Sequence, residues 1–531
     1  MTFDLLIRNG LVLDGSGSEA QRADVGIRAD RIEAVGHLEG AEAARVIDAQ
    51  GQAVSPGFID THVHSDVMIL ANPQHAPKLC QGVTTEVLAQ DGLSYAPLSP
   101  ANLQFYRRYL AGAFGNPDIA WDWSSVAEFR ARFDRTVAVN TVYLVPHGAV
   151  RLEVLGMRDA PLVGDDLKRA QAIVEQGMDE GAVGFSTGLS YYPNSYADTD
   201  ELVELCRPVA KRGGPYVTHI RTVFRDEPID PVEETLEIGR RSGVGVHFSH
   251  FRTAPASAGK VAELMAAIDV AQAQGVEVTL DTYPYPSGAG FGLAFLPPWS
   301  QEGGVDDIVA RLNNPTQRAS IIAEMAGTRD AIQPQSWDER IFSHLPSPHN
   351  RELVGRSFSE AARLRGYAQV EELLCDLLAE EALEVGNFQA PPPQPIWERI
   401  ERDIMELFAR PNYMVGSDSV PAGDHPHPRL YGTFPRLLGR FRREFGGLSL
   451  ETLVNRATLA AANRFGLRDR GLLAPGKAAD VVIFNPDTLS DTATYEQPHS
   501  YPIGIDYVLV NGQIAVQAGK PTGVLAGRPL P

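Results

Sequence analysis

Cysteine is scarce in this sequence. Its 531 residues include only Cys80, Cys206 and Cys375, which are far apart and form no CxxC pair. An odd number of widely spaced cysteines excludes a disulfide-stapled scaffold. We therefore expect a protein of a reducing compartment and place it in the cytoplasm.

Long apolar runs and a secretion signal are also missing. No stretch of about 18 consecutive apolar residues occurs, so we expect no membrane span. The opening MTFDLLIRNG has no basic segment followed by an apolar stretch, which argues against a signal peptide.

Positive charge is in deficit. The chain has 47 lysines and arginines against 67 aspartates and glutamates, a net charge of −20. Nucleic acids and anionic membrane surfaces are bound by clustered basic side chains, so we expect neither partner. A single arginine can still bind a carboxylate in an acidic protein, so an anionic small molecule stays open as substrate.

Both ends of the chain are rich in short β-strands. The pairs Asn9-Gly10 and Asn511-Gly512 each lie between β-rich runs and predict hairpin turns. Each terminal piece is too short to fold stably alone. We therefore expect residues 1–55 and 468–531 to combine into one small β-sandwich domain.

The middle of the chain, residues 56–467, alternates helix and strand. Near-continuous apolar strands separated by amphipathic helices indicate an α/β fold with parallel βαβ units. The count predicts a closed (β/α)8 TIM-like barrel. The alternative, an open doubly wound sheet, lacks its Gly-rich first turn here. The eight candidate strands lie in 57–64, 82–91, 141–149, 181–189, 215–221, 244–250, 276–285 and 413–419.

Residues 288–410 are too long for one helix between the seventh and eighth strands. This segment is rich in proline and charge and includes PPPQP. We expect a partly helical insertion at the top of the barrel. It is either a lid over the site or a variable loop without a catalytic role.

Polar side chains follow the predicted strands where each one ends. In a barrel these ends surround one opening, where active sites lie. Imidazole and carboxylate together suit one or two divalent ions, zinc best, with Mn, Co or Fe as alternatives. The residues concerned are His62, His64, Asp91, His147, His219, His250 and Asp418.

Asp418 follows the last barrel strand and is the candidate catalytic residue. A carboxylate beside a metal-activated water can accept its proton as general base and pass it to the leaving group. The alternatives are that Asp418 is only a metal ligand or a helix N-cap.

Several motifs resemble the amidohydrolase superfamily, and within it the N-acyl-D-amino-acid deacylases, or D-aminoacylases. The similar segments are PGFIDTHVHSD, QGVTTEVLAQDGLSYAP, GAVGFSTGLSYYP and VGSDSVPAGDHPHPRLYGTF. The resemblance implies a metal-dependent hydrolase that cleaves N-acyl-D-amino acids to a carboxylic acid and a D-amino acid. It implies a small-molecule substrate bearing a carboxylate, and it leaves a homo-oligomer open.

The same resemblance assigns roles to individual residues. Asp91, His219 and His250 match the tight metal site, His62 and His64 the second metal site, and Asp418 the general acid and base.

The resemblance also points to residues that contact the substrate. Arg429, Tyr283 and Ser287 match positions that grip the carboxylate, for which arginine offers a bidentate fork. Arg252 lies near the substrate. His147 either polarises a carbonyl or supports a metal ligand.

Two positions depart from the deacylase pattern. Asp91 stands where these relatives usually have cysteine, and Arg252 stands where they often have lysine. Metal number and identity, and the acyl or side-chain preference, therefore stay open.

Three other functions compete with this hypothesis. A hydantoinase-like or dihydroorotase-like hydrolase of cyclic amides commonly needs a carbamylated lysine, which strand four, GAVGFSTGL, does not supply. A D-peptidase or lactonase would use the same scaffold. A non-catalytic scaffold would be revived if no bound metal were found.

Overall fold

A computed structural model describes residues 2–222, 230–332 and 336–531, with the backbone alone for 328–332. The strands in these parts of the chain are β1 (Thr2–Val12), β2 (Gln21–Arg28), β3 (Arg31–Gly36), β4 (Glu42–Asp48), β5 (Ala53–Pro56), β6 (Phe58–Asp60), β7 (Val83–Leu88), β8 (Asn140–Pro146), β9 (Gly184–Gly188), β10 (Pro215–His219), β11 (Gly245–Phe248), β12 (Val278–Thr282), β13 (Ala289–Phe291), β14 (Arg340–His344), β15 (Gly386–Gln389), β16 (Tyr413–Val415), β17 (Val481–Phe484), β18 (Ile505–Val510), β19 (Gln513–Gln517) and β20 (Lys520–Pro521).

The helices in the same parts of the chain are α1 (Met68–Ala71), α2 (Ala76–Leu79), α3 (Pro100–Tyr109), α4 (Ala111–Phe114), α5 (Val126–Ala131), α6 (His147–Leu155), α7 (Gly164–Asp179), α8 (Thr199–Lys211), α9 (Pro231–Ser242), α10 (Val261–Ala273), α11 (Val305–Asn313), α12 (Pro315–Ile332), α13 (Phe358–Arg365), α14 (Val370–Glu380), α15 (Gln394–Ala409), α16 (Arg429–Pro435), α17 (Arg442–Phe445), α18 (Leu450–Ala457) and α19 (Leu459–Arg464). None of the helices in the described ranges is long and apolar enough to span a membrane.

Strands from both termini, for which the sequence predicts a small β-sandwich, pair in one nine-stranded sheet. Its order is β20-β19-β18-β17-β5-β1-β2-β3, and β4 pairs with β1. The Asn511-Gly512 hairpin is confirmed, because it joins the antiparallel strands β18 and β19.

The hairpin predicted at Asn9-Gly10 is wrong. Strand β1 runs straight through the pair, and the register against β2 shifts there, which is a β-bulge. A Cβ on Gly10 would lie 2.6 Å from the Val54 side chain. Close packing against the neighbouring strand therefore explains this glycine.

The middle of the chain forms the expected α/β barrel. Eight parallel strands follow the order β16-β12-β11-β10-β9-β8-β7-β6. The first and last strands meet through the amide of Thr61, which donates to the Val415 carbonyl at 3.1 Å, and that of Asp418, which donates to the His62 carbonyl at 2.7 Å. The barrel is thus nearly closed, and this contact joins the segments that follow β6 and β16.

Local sequence explains why helices alternate with these strands. Helix α9 begins with Pro231 in its first turn, and the Asp230 carboxylate accepts hydrogen bonds from the amides of Val232 and Glu233. The helix ends at Gly243, whose backbone is left-handed. The chain then enters β11.

The insertion between the seventh and eighth barrel strands has its own structure. It contains helices α11 to α15 and an antiparallel sheet of order β13-β15-β14. Strand β13 comes directly after the segment that leaves barrel strand β12. The insertion therefore begins next to the carboxyl ends of the barrel strands.

Candidate active site

The candidate ligands predicted from sequence converge at the carboxyl ends of the barrel strands. His62 and His64 follow β6, Asp91 follows β7, His219 ends β10, His250 follows β11 and Asp418 follows β16.

Asp91 is at the centre of the cluster. Its two carboxylate oxygens lie 3.5 Å from His62 Nε2, 3.7 Å from His64 Nε2, 3.6 Å from His219 Nδ1 and 4.0 Å from His250 Nε2. One carboxylate thus faces four imidazoles, an arrangement in which it can bridge two neighbouring ion positions.

Asp418 closes the cluster on the opposite side. Its Oδ1 lies 3.1 Å from His64 Nε2 and 3.8 Å from His62 Nε2. Two sets of ligand atoms therefore meet closely enough for a metal ion: His62, Asp91 and His250 form one, and His62, His64 and Asp418 form the other. His62 belongs to both sets.

Unpartnered atoms show that these residues fit a metal ion. Both ring nitrogens of His62 and Oδ1 of Asp91 are buried without a hydrogen-bond partner. Burying such groups without compensation is costly. A divalent cation would satisfy them, and the mixture of imidazole nitrogen and carboxylate oxygen suits zinc.

Three of the candidate ligands have a left-handed backbone. The φ angles of Asp91, His250 and Asp418 are 58°, 38° and 50°. Non-glycine residues rarely adopt this conformation, and such strain is concentrated at functional sites. The sharp turns bring each side chain back over the barrel opening.

Electrostatics keep both carboxylates ionised. Burial opposes ionisation of Asp91, but the neighbouring histidines, His62 and His219 foremost, lower its pKa below the usual range. Burial likewise opposes the ionisation of Asp418, but Arg429 and the contact with His64 lower its pKa well below the ordinary value.

Burial has the opposite effect on a histidine of the cluster. It lowers the pKa of His250 to about 4, and the nearby aspartates only partly oppose this. His250 is therefore neutral at neutral pH, as a metal ligand must be.

Two arginines surround Tyr283 beside this cluster. The Arg429 guanidinium carbon lies 4.6 Å from the centre of the Tyr283 ring, and that of Arg252 lies 5.0 Å away. Arg429 Nη1 donates to Asp418 Oδ2 at 2.7 Å, whereas its Nε and Nη2 are buried without a partner. These unpartnered N–H groups can donate two hydrogen bonds to one carboxylate.

Ser287 is also predicted to contact the substrate carboxylate. Its hydroxyl is within hydrogen-bond distance of Tyr495 Oη at 2.8 Å and His427 Nε2 at 3.2 Å. Like Arg429 and Arg252, it is not among the described residues that line the cavity. The Ser287 hydroxyl is therefore part of a buried network of side-chain hydrogen bonds.

His147 also differs from the interpretation that it contacts substrate. Its Nε2 lies 2.8 Å from Glu201 Oε1 and its Nδ1 lies 3.1 Å from Asn194 Oδ1, so both ring nitrogens are occupied. A Cβ on Gly92 would lie 2.2 Å from the same Asn194 oxygen. His147 thus holds a side chain that packs against the turn after Asp91.

A cavity of about 150 Å³ opens over the cluster. Sequence reasoning missed several of its aromatic walls. Tyr191 has its ring 4.9 Å from that of His219 and 5.6 Å from that of Phe291. Tyr191 could have been predicted as a lining residue, because it follows a barrel strand closely. Phe291 lies on β13 in the insertion, whose role the sequence leaves open. The lining residues are His64, Asp91, Leu93, Ala113, Phe114, Tyr191, His219, His250, Tyr283, Gly288, Ala289, Gly290, Phe291, Asp418 and Val420.

A nearly closed parallel barrel with histidines and aspartates at its strand ends defines the class of metal-dependent barrel hydrolases. The model of the amidohydrolase family matches residues 45–516. The chain belongs to this family.

Curated relatives and solved structures agree with this assignment. The chain is 34% identical to D-aminoacylase from Alcaligenes xylosoxydans xylosoxydans, covering 99% of this chain and 97% of the relative. It is 36% identical to N-acyl-D-glutamate deacylase from the same organism, covering 96% and 93%. The structure of N-acyl-D-glutamate deacylase from Bordetella bronchiseptica, complexed with zinc and a phosphonate inhibitor, is similar at a TM-score of 0.82, with 32% identity and full coverage of both chains.

Proposed function

We propose that this protein is a metal-dependent amidohydrolase that cleaves the amide bond of N-acyl-D-amino acids. The observation that carries the proposal is the pairing of Asp418 with Arg429 beside a cluster of four histidines and Asp91. The relatives act as D-aminoacylase and N-acyl-D-glutamate deacylase, which supports this substrate class.

The cluster would hold one or two zinc ions, and the similar enzyme from Bordetella bronchiseptica is complexed with zinc. The resemblance assigns Asp91, His219 and His250 to one position and His62 and His64 to the other, whereas the ligand atoms that lie close together are those of His62, Asp91 and His250 and those of His62, His64 and Asp418. When bound, the metal supplies Lewis-acid polarisation of the amide carbonyl and lowers the pKa of water.

Asp418 would move the proton. Its ionised carboxylate accepts a proton from the attacking water as the new C–O bond forms. The same carboxyl then gives that proton to the amide nitrogen as the C–N bond breaks, so that the amine leaves neutral. Arg429 keeps Asp418 ionised before the first step, because it bonds to Oδ2 and leaves Oδ1 facing His64.

The substrate carboxylate would bind next to Tyr283. Arg429 has unpartnered donors there, and the Tyr283 hydroxyl receives a hydrogen bond from Arg252 Nη2 at 3.3 Å. Binding at this place fixes the distance between the carboxylate and the scissile bond. We expect the substrate to be a small molecule, and we place the enzyme in the cytoplasm without a nucleic-acid or membrane partner.

The test is hydrolysis of paired D and L enantiomers of N-acetyl amino acids by zinc-loaded protein. We expect release of free amino acid from the D enantiomers and at least about 100-fold slower release from the L enantiomers. A cyclic-amide substrate such as a hydantoin serves as the comparison. Faster opening of the ring, or no amide hydrolysis at all, would contradict the proposal.

A further inference from the structure

One wall of the cavity is apolar. The apolar side chains in the lining, which we call the apolar wall, are Leu93, Ala113, Phe114, Phe291 and Val420. The Phe114 ring lies 5.3 Å from the His64 ring, so the apolar wall begins directly beside the candidate metal ligands.

The insertion contributes part of this wall without adding charge. Residues 288–291 line the cavity, and the whole segment from Tyr283 to Gln301 contains no charged side chain. Among the described residues that line the cavity there is neither a lysine nor an arginine. The carboxylate and imidazole groups in the lining are the candidate metal ligands His64, Asp91, His219, His250 and Asp418.

Arg429 and Arg252, which both contact the ring of the lining residue Tyr283, are cations that could offset this lack, and Arg429 is already assigned to the α-carboxylate. Arg252 Nη1 donates to the carbonyl oxygens of Thr253 and Pro286, both at 3.2 Å, and its Nη2 donates to Tyr283. The guanidinium is thus held beside Tyr283, where the α-carboxylate would bind.

We propose that the enzyme selects N-acyl-D-amino acids with apolar side chains and excludes acidic ones. This inference rests on the proposed function and deepens it. A carboxylate on the side chain would lie against Phe114 and Phe291 without a cation to pair with, and burying an unpaired charge is strongly unfavourable. An apolar side chain fits the same wall and gains from burial.

The experiment compares N-acetyl derivatives of D-leucine, D-methionine, D-glutamine and D-glutamate with zinc-loaded enzyme. D-glutamine and D-glutamate have nearly the same shape, so their ratio isolates the charge. We expect kcat/KM for D-leucine to exceed that for D-glutamate by at least about 100-fold, with D-glutamine between them. Hydrolysis of D-glutamate at a rate within about tenfold of D-leucine would overturn the inference.

The panel separates failure of this inference from failure of the proposed function. Efficient cleavage of the D-glutamate derivative would contradict the side-chain assignment but not the deacylase activity. A lack of cleavage of every derivative would contradict the deacylase activity itself. The Arg252→Met variant adds a second readout. Both rates should fall together if Arg252 serves the α-carboxylate, and a selective loss of D-glutamate cleavage would show that Arg252 binds an acidic side chain.

Discussion

Arg429 Nη1 lies 2.7 Å from Asp418 Oδ2, and the arginine side chain is completely buried. A guanidinium beside a carboxylate favours its ionised form, here against a large cost of burial. The remaining donors of Arg429 have no partner. We therefore expect this one arginine to have two roles: it keeps the proton-transfer group Asp418 ionised, and it binds the substrate carboxylate.

Replacing Arg429 should separate these two roles. Arg429→Met removes the cation, so the pKa of Asp418 should rise and the acid limb of kcat/KM should move up by about one to three pH units. Arg429→Lys keeps the charge but loses the fork, so KM should rise about tenfold or more while the acid limb stays close to its wild-type position. Equal acid limbs in both variants, measured as pH profiles, would show that Arg429 does not set the ionisation of Asp418.

Gly288 keeps the carboxylate site open. A Cβ at this position would lie 3.0 Å from Tyr283 Oη and 3.5 Å from Arg429 Nη1. Gly288→Ala should therefore raise KM for an N-acyl amino acid by about tenfold to 100-fold, because the binding groups must shift.

The control is the same substitution at Gly327, an exposed position of α12 where a Cβ meets nothing within 4 Å. Steady-state kinetics of the two variants provide the comparison. A Gly288→Ala enzyme with wild-type KM would place the substrate carboxylate elsewhere.

The barrel and its ligands could be predicted because each signal is local. Every barrel strand is a short apolar run, and the ligands follow directly at strand ends, as His62 and His219 do. The bulge at Asn9-Gly10 was missed because the local turn signal is overridden by pairing of β1 with its neighbours. The hydrogen bonds of the His147 ring could not be predicted either, because its partner Glu201 lies on another helix.

A buried charge cluster beneath the site shows the same limit of sequence reasoning. Lys78 on α2 bonds to Asp60 on β6 and to Ser417 Oγ at 2.7 Å, and its Nζ lies 3.8 Å from Glu86 on β7. His75 Nε2 is 3.0 Å from the same Glu86 oxygen. These residues come from separate helices and strands, so their spacing in the sequence does not predict that they are in contact.

Removing Lys78 should destabilise the protein strongly. Lys78→Met leaves Asp60 and Glu86 buried without their cation, a change that costs about 3–5 kcal/mol in the free energy of unfolding. The double variant Lys78→Met/Asp60→Asn should cost less than the sum of the two single variants, since the unpaired charge is removed.

Denaturant unfolding of the four proteins in this cycle measures the coupling. Lys260→Met is the matched control, because Lys260 is exposed and pairs with exposed Glu263, so a change of less than about 1 kcal/mol is expected. Additive single variants would mean that Lys78 and Asp60 contribute independently.

Glu201 should make stability depend on pH in the acid range. Burial opposes its ionisation, but His147 and Arg151 lower its pKa to about 2. Since the unfolded value is about 4.3, the ionised group stabilises the fold fully above that pH and progressively less as pH falls toward the folded value. The shift corresponds to about 3 kcal/mol at neutral pH.

Glu201→Gln tests this directly through unfolding midpoints in guanidinium between neutral pH and about pH 3. The variant should be clearly less stable than wild type at neutral pH, and the difference should shrink as the pH falls below about 4.3, because protonation removes the same interaction from the wild type. Glu175→Gln, at an exposed position of α7, should follow the wild-type curve throughout. A stability difference for Glu201→Gln that stays constant across this range would mean that packing, and not the charge, is what Glu201 contributes.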